Sequence, residues 1–151
     1  MKVAIASDHA GFEYKTILAE ELKKSGYEVL DLGAFNIDPI DDYPDHAANV
    51  ANALINKQAD RGILICGSAV GVSIAANKFK GIRAGVCHDT YSAHQGVEHD
   101  DVNILCMGQR VIGINLVIEI ATTFLKAVFS QEPRHERRLG KIFAIEQKNM
   151  K

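Results

Sequence analysis

Apolar and polar positions alternate along the chain in blocks that read as strands and helices in turn. Val3 to Ala6 is a short apolar run suited to a buried strand, and the loop Ser7-Asp8-His9-Ala10-Gly11 follows it. Phe12 to Lys24 predicts a helix with Phe12, Ile17, Leu18 and Leu22 roughly on one face, ended by Ser25-Gly26. Tyr27 to Leu32 predicts a second strand. Gly33 to Pro44 is a longer loop with two prolines and several acids, and Asp45 is placed to cap a helix running to about Lys57. Ile63 to Cys66 is a β-branched run suited to a third strand; Gly67 to Gly71 breaks it with small residues, and Val72 to Lys78 suits a helix packed tightly on a sheet. Ile82 to Cys87 and Val102 to Met107 predict two further strands. Between them Asp89 or Thr90 caps a short helix through Glu98. Asn115 to Phe129 predicts a helix whose apolar residues cover more than one face, a pattern that asks for burial nearly all round, in a core or against a second subunit. Pro133 opens a last helix toward Lys148.

Strands alternating with helices imply an α/β fold with a parallel sheet covered on both faces. Ligands in such folds bind beyond the C-terminal ends of the strands. Those exits collect Asp8 and His9, then Cys66 and Ser68, then His88 and Asp89, then Arg110.

Composition narrows the classes. A length of 151 residues fits one domain, and a net charge of −2 supplies no basic field for nucleic acid or for a membrane surface. No apolar run approaches the ~20 residues of a membrane span, and the N-terminus reaches Asp8 too soon for a signal peptide. Three widely spaced cysteines, each in an apolar run, argue against a disulfide framework or zinc module, so the expected compartment is a reducing cytoplasm.

The stretch from Ile63 to Lys78 carries the strongest chemical signal. A strand, a glycine-rich turn and a helix start make an anion site, because free backbone N–H groups and the positive helix end face the turn. Cys66 at its edge is placed to act as a thiolate base or nucleophile, since such a position can lower a thiol below its free pKa of ~8.5. Ser68 is placed to relay a proton or donate to an oxyanion. The same stretch also describes a tight turn around a buried cysteine. Cys87 and Cys106 lie in apolar strands and read as inert core. His9, and His99 in the solvated-looking turn Glu98-His99-Asp100-Asp101, are candidate general acids. No metal site is expected: no HExxH-type spacing occurs, and the gap from His94 to His99 puts the two on different helix faces. Arg134 and Arg138, four apart, share a helix face that suits a phosphate or simply solvent.

Taken together, Ser7-Asp8-His9-Ala10-Gly11, Asp42-Tyr43-Pro44, Ile65-Cys66-Gly67-Ser68, Gly71 to Lys78, His99 with Asn103, Gly108-Gln109-Arg110, and Arg134 with Arg138 form an ordered set spanning nearly the whole chain. In it the chain resembles the ribose-5-phosphate isomerase B family, which also includes the galactose-6-phosphate isomerase subunits of the lactose pathway. The resemblance implies a single-domain, three-layer α/β/α Rossmann-like sandwich with a five-stranded parallel sheet and an extended C-terminal helix. It implies an aldose–ketose isomerase needing no metal or cofactor and converting ribose 5-phosphate to ribulose 5-phosphate, a step of the non-oxidative pentose phosphate pathway. By the same resemblance, Cys66 is the base between carbons 1 and 2. His99 is the acid that opens the furanose ring, with Asp8 nearby. Ser68 and the N–H groups of Gly67, Ala69, Val70 and Gly71 form the hole for the enediolate oxygens. His9, Arg134 and Arg138 grip the phosphate, with Arg110 close by, and Tyr43 walls the sugar site. The family's C-terminal arginines reach the neighbouring subunit's site, so a homodimer, possibly a tetramer, is implied. Two positions depart from the pattern: Ala69 stands where the family has glycine, and Asp100 where it has asparagine. A six-carbon sugar phosphate, such as allose or galactose 6-phosphate, is an alternative substrate. A flavodoxin-like nucleotide-binding module is an alternative from another class.

Overall fold

Successive side chains of a strand point to opposite faces, and here that alternation divides the interior into two cores. A computed structural model describes residues 1–150. The elements are β1 (Lys2–Ser7), a 3₁₀ turn (His9–Gly11), α1 (Phe12–Lys24), β2 (Glu28–Asp31), α2 (Tyr43–Ile55), β3 (Arg61–Cys66), α3 (Val70–Ala76), β4 (Ala84–Val86), α4 (Thr90–Asp100), β5 (Ile104–Gly108), α5 (Ile114–Lys126) and α6 (Pro133–Asn149). Val3, Ile5, Ile63, Ile65, Leu105 and Met107 point to one face, where α1, α4 and α5 cover them. Ala4, Ala6, Leu64, Cys66, Ile104 and Cys106 point to the other, under α2 and α3. All pairings are parallel, in the order β2-β1-β3-β5-β4. The three-layer sandwich, the five parallel strands and the long last helix agree with expectation. A flavodoxin-like sheet would run 2-1-3-4-5, so the last two strands are exchanged relative to that alternative. Among the described residues no helix is long and apolar enough to cross a membrane.

Several boundaries differ from the sequence reading. α2 starts at Tyr43, with Asp42 as N-cap and Pro44 in its first turn, where proline's missing N–H costs nothing. β4 keeps only Ala84–Val86. α4 extends to Asp100, so His99 lies in a helical turn and not in a solvated loop. α5 stops at Lys126 because Ala127 turns extended, which leaves Val128 and Phe129 outside it. Of the two kinds of cover its pattern asks for, the chain's own core supplies one: Val117, Ile120, Ala121, Phe124 and Leu125 are buried in the core shared with α1 and α4. The least covered of the α-helices is α6, with only His135 and Leu139 buried.

Close approach of backbones fixes one glycine. A β-carbon on Gly11 would lie 2.4 Å from the carbonyl oxygen of Ile65 in β3, an atom that cannot swing aside. Gly11→Ala is therefore expected to destabilise the fold by about 1–3 kcal/mol, read as a fall in Tm of about 2–4 °C per kcal/mol. A thermal melt within a degree of the native one would show that the exit of β1 is free to move away from β3.

Candidate active site

The chain leaves β1 through α1 on one face and leaves β3 through α3 on the other. β1 and β3 are neighbours in register, Ser7 beside Ile65, so a crevice opens at their C-terminal ends. Such a reversal is where open α/β sheets bind ligands. On its other side β3 pairs with β5, with Cys66 beside Gly108.

Cys66 is the last residue of β3 and is buried. The chain turns there so tightly that the N–H of Ala69 donates to Cys66 Sγ at 3.0 Å. Donation of this kind stabilises negative charge developing on the sulfur. The turn needs one residue in the left-handed region, and that residue is Ala69 (φ 73°, ψ −14°), whose methyl is fully buried. Val70 opens the seven-residue α3, so the N–H groups of the first turn have no partner within the helix and face the crevice. Ser68 is exposed at the mouth, its hydroxyl 3.4 Å from the N–H of Val70. The turn after β5 braces this loop: the N–H groups of Gln109 and Arg110 donate to the carbonyls of Cys66 and Gly67 at 2.9 and 3.0 Å. A β-carbon on Gly67 would sit 3.2 Å from the Arg110 guanidinium, and one on Gly71 would sit 2.8 Å from the Tyr43 ring. Arg110 and Tyr43 thus flank the cradle on two sides.

Asp8 is buried and caps the 3₁₀ turn, its Oδ1 accepting from Ala10 and Gly11 N–H at 3.0 and 3.2 Å. His9 is half-buried beside it. Its Nδ1 and its backbone N–H both reach Asp41 Oδ1, at 2.6 and 3.1 Å, and His46 Nε2 meets Asp41 Oδ2 at 3.0 Å. The hydrogen bond to Asp41 raises the His9 pKa, with Asp8 and Asp41 charge adding to it and burial and Arg110 opposing it. Burial acts to raise Asp41, but the hydrogen bonds from His9 and His46 outweigh it and hold this carboxyl below its usual range. Donor atoms of Asp8, His9 and Asp41 lie within 4.8 Å of one another and are spaced to hold a metal ion. The protein already engages Asp8 Oδ1 in capping and His9 Nδ1 in the Asp41 pair.

The remaining predicted residues are elsewhere. α4 runs back against the strands and ends where Arg83, the residue before β4, donates to the carbonyl of Asp101 at 2.7 Å. His99 and Asp100 therefore lie at the N-terminal edge of the sheet. The four steps along the strand from Gly62 to Cys66 alone separate the edges by about 13 Å, so His99 and Asp8 are not neighbours within one chain. His99 stacks on His135 of α6 with ring centroids 4.0 Å apart, and His135 Nδ1 is 2.6 Å from Ser130 Oγ. Burial lowers the His135 pKa, and His99, Arg134 and Arg138 add to the effect. Arg134 and Arg138 are exposed on α6 at this same edge; Arg134 Nε pairs with Glu132 at 2.9 Å. The structure thus brings together Asp8, His9, Tyr43, Cys66, Gly67, Ser68, Ala69, Val70, Gly71 and Arg110, and sets His99, Asp100, Arg134 and Arg138 apart from them.

The other candidates read from sequence are structural. His88 Nε2 accepts from Gly108 N–H at 2.9 Å, and burial lowers its pKa, which suits a neutral ring pinning the turn after β5. Burial pushes the Cys87 thiol up to about 11 and raises Cys106 as well, as inert core thiols require. Sequence reading passed over Asp41, His46 and His135. Asp41 is one of several acids in one loop, and the two histidines lie outside every recognised motif.

Known proteins share this architecture and sequence. Residues 3–142 match the family described as Ribose/Galactose Isomerase. Ribose-5-phosphate isomerase B of Escherichia coli is 44% identical over 147 residues, covering 97% of each chain. The solved structure of ribose-5-phosphate isomerase B from Clostridium thermocellum superposes with a TM-score of 0.94 at 49% identity, covering 98% of this chain and 99% of that one. The enzyme of the same name from Mycoplasma genitalium, solved with bound ribulose 5-phosphate, gives 0.92 at 42% identity, covering 98% of this chain and 97% of that one.

Proposed function

The chain belongs to the ribose/galactose isomerase family, and from that premise we propose that it interconverts ribose 5-phosphate and ribulose 5-phosphate in a site completed by a second copy of itself. The observation that carries this reading is the cradle at the β1–β3 crevice, where a buried thiol accepts from the Ala69 N–H beside the first turn of α3, whose N–H groups have no partner within the helix. The hydrogen beside a carbonyl is a poor acid until charge on the carbonyl oxygen is stabilised. Fixed N–H donors supply that at about 3–4 kcal/mol each.

In this reading Cys66, as thiolate, takes the proton from carbon 2 of the open-chain aldose. The electron pair moves to the carbonyl oxygen, and the cradle from Gly67 to Gly71 holds the resulting enediolate. Ser68 shifts the hydroxyl proton from O2 to O1, and Cys66 returns its proton to carbon 1 to give the ketose. Tyr43 walls the sugar, and His9 with Arg110 receives the phosphate.

Furanose opening needs an acid at the ring oxygen. His99 is the candidate, but its own chain holds it at the far edge of the sheet. A partner related by a two-fold axis brings His99, Asp100, Arg134 and Arg138 of one chain to the cradle of the other. The apolar side chains exposed on Val70 and Ile74 of α3, Val86 of β4 and Tyr91 of α4 supply surface for that contact. Three buried free cysteines fit the reducing cytoplasm.

Purified protein given ribose 5-phosphate is expected to form ketose at a rate unchanged by a chelator, and to turn over allose and galactose 6-phosphates more slowly. Faster turnover of a six-carbon sugar would move the specificity to the alternative substrates. No turnover of any of the three would overturn the assignment.

A further inference from the structure

His9 stands on a 3₁₀ turn at the mouth of the crevice, where an imidazole has no reason of its own to keep one orientation. Asp41 gives it one. A single oxygen, Oδ1, takes both the His9 backbone N–H and Nδ1, which fixes the ring plane and places the proton on Nδ1. The other oxygen is held by His46 from α2. His46 Nδ1 is buried without a hydrogen-bond partner among the described residues, which favours the tautomer with its proton on Nε2, facing Asp41. One carboxylate ties the start of α2 and the loop before it to the β1 exit, which is remote from both in sequence. The Asp41 side chain is only 13% exposed, although the loop carrying it exposes Phe35, Ile37 and Ile40.

We propose that Asp41 is a positioning residue of the phosphate subsite: it holds His9 with Nδ1 bound and Nε2 turned, protonated, toward the substrate phosphate, while His46 buttresses Asp41 from behind. The proposal rests on the reading of His9 as a phosphate ligand. The charged groups facing His9 are Asp8 on its own segment, Asp41 on the β2–α2 loop and Arg110 after β5. Asp8 and Asp41 favour the imidazolium and Arg110 opposes it. Because the hydrogen bond to Asp41 raises the His9 pKa, the cation persists to higher pH than in a free imidazole, and phosphate affinity persists with it. Without Asp41, the Arg110 charge acts with less opposition and the cation is lost at lower pH.

Asp41→Asn keeps the shape and removes the charge. Its KM for ribose 5-phosphate is expected to rise about tenfold at pH 8 and less than about twofold at pH 5.5, with kcat within about twofold throughout. Titration of the imidazole by nuclear magnetic resonance, with the His9 signal assigned by its loss in His9→Asn, reads the same device without activity. The His9 midpoint should lie above the free value in the native protein and fall in Asp41→Asn. An unchanged midpoint, or a loss of kcat at constant KM, overturns the proposal. Should Asp41→Asn fail to fold, a native His9 midpoint at or below that of free imidazole overturns it as well. A lowered midpoint with KM unchanged in both Asp41→Asn and His9→Asn overturns the phosphate reading of His9 itself, and the proposal falls with it.

Discussion

Cys66→Ser is expected to lower kcat for ribose 5-phosphate by about a thousandfold, the scale of a lost general base, while Tm and KM stay close to native. Oxygen for sulfur is a small change in volume at a buried position, and the Ala69 N–H that now donates to Sγ finds an acceptor in either atom. The cradle should therefore keep its shape and its grip on the enediolate oxygens. What disappears is the base, because a serine hydroxyl ionises far above a thiol and is a weak base or nucleophile unless another group activates it. Among the described residues the histidines are held elsewhere: His9 Nδ1 and His46 meet Asp41, His88 accepts from Gly108, His94 meets Glu98, and His99 stacks on His135 at the opposite edge of the sheet. Steady-state kinetics check the result. A variant that keeps a tenth or more of the native kcat would move the base to another residue.

Mixing two inactive variants is expected to restore activity. His99→Asn removes the ring-opening acid, and Cys66→Ser removes the base. If each site takes Cys66 from one chain and His99 from its partner, a mixed dimer has one site with both defects and one with none. Random re-pairing of equal amounts makes about half the dimers mixed, so roughly a quarter of all sites should recover. The double change Arg134→Ala with Arg138→Ala should complement Cys66→Ser in the same way, because those arginines lie at the His99 edge. Co-refolding and assay of each pair, with light scattering or native mass spectrometry to count mixed dimers, gives the answer. Mixed dimers without recovered activity would mean that each chain completes its own site and that the partner model is wrong.

Much of the architecture was legible from local pattern. Val3–Ala6 and Ile63–Cys66 are short, β-branched or small apolar runs with a polar break after each, and both became central strands. The glycine-rich break after Cys66 marks the place of the cradle but fits a tight turn around a buried cysteine equally well, and only the ordered set of motifs along the chain distinguishes the two. What sequence could not supply was which elements pack together. The apolar span from Asn115 to Phe129 leaves open whether a core or a partner covers it, because the cover given by α1 and α4 is a tertiary fact and because Val128 and Phe129 lie beyond the helix. His135 carries no periodic signal, yet it forms the floor under His99 across 36 positions of chain. Asp41 is one of three acids between Asp38 and Asp42, and only the fold distinguishes it from its neighbours. The separation of His99 from Cys66 follows from the direction of α4, once α4 is known to return to the starting edge of the strands.

Ala69 puts opposing energies at one position. A β-carbon in the left-handed region costs about 1–2 kcal/mol. Burying its methyl returns about 0.8 kcal/mol, and an alanine has less freedom than glycine to lose on folding, by about 0.4–1 kcal/mol. The sum is close to zero, so global stability is nearly indifferent to whether alanine or glycine stands here. The breadth of the energy well is not indifferent. Glycine can leave the left-handed basin for several others, whereas this alanine is confined by its own side chain and by the core around it. The donors of the cradle are then aimed by a stiff hinge, and the ordering entropy of that loop is spent during folding, before any sugar arrives.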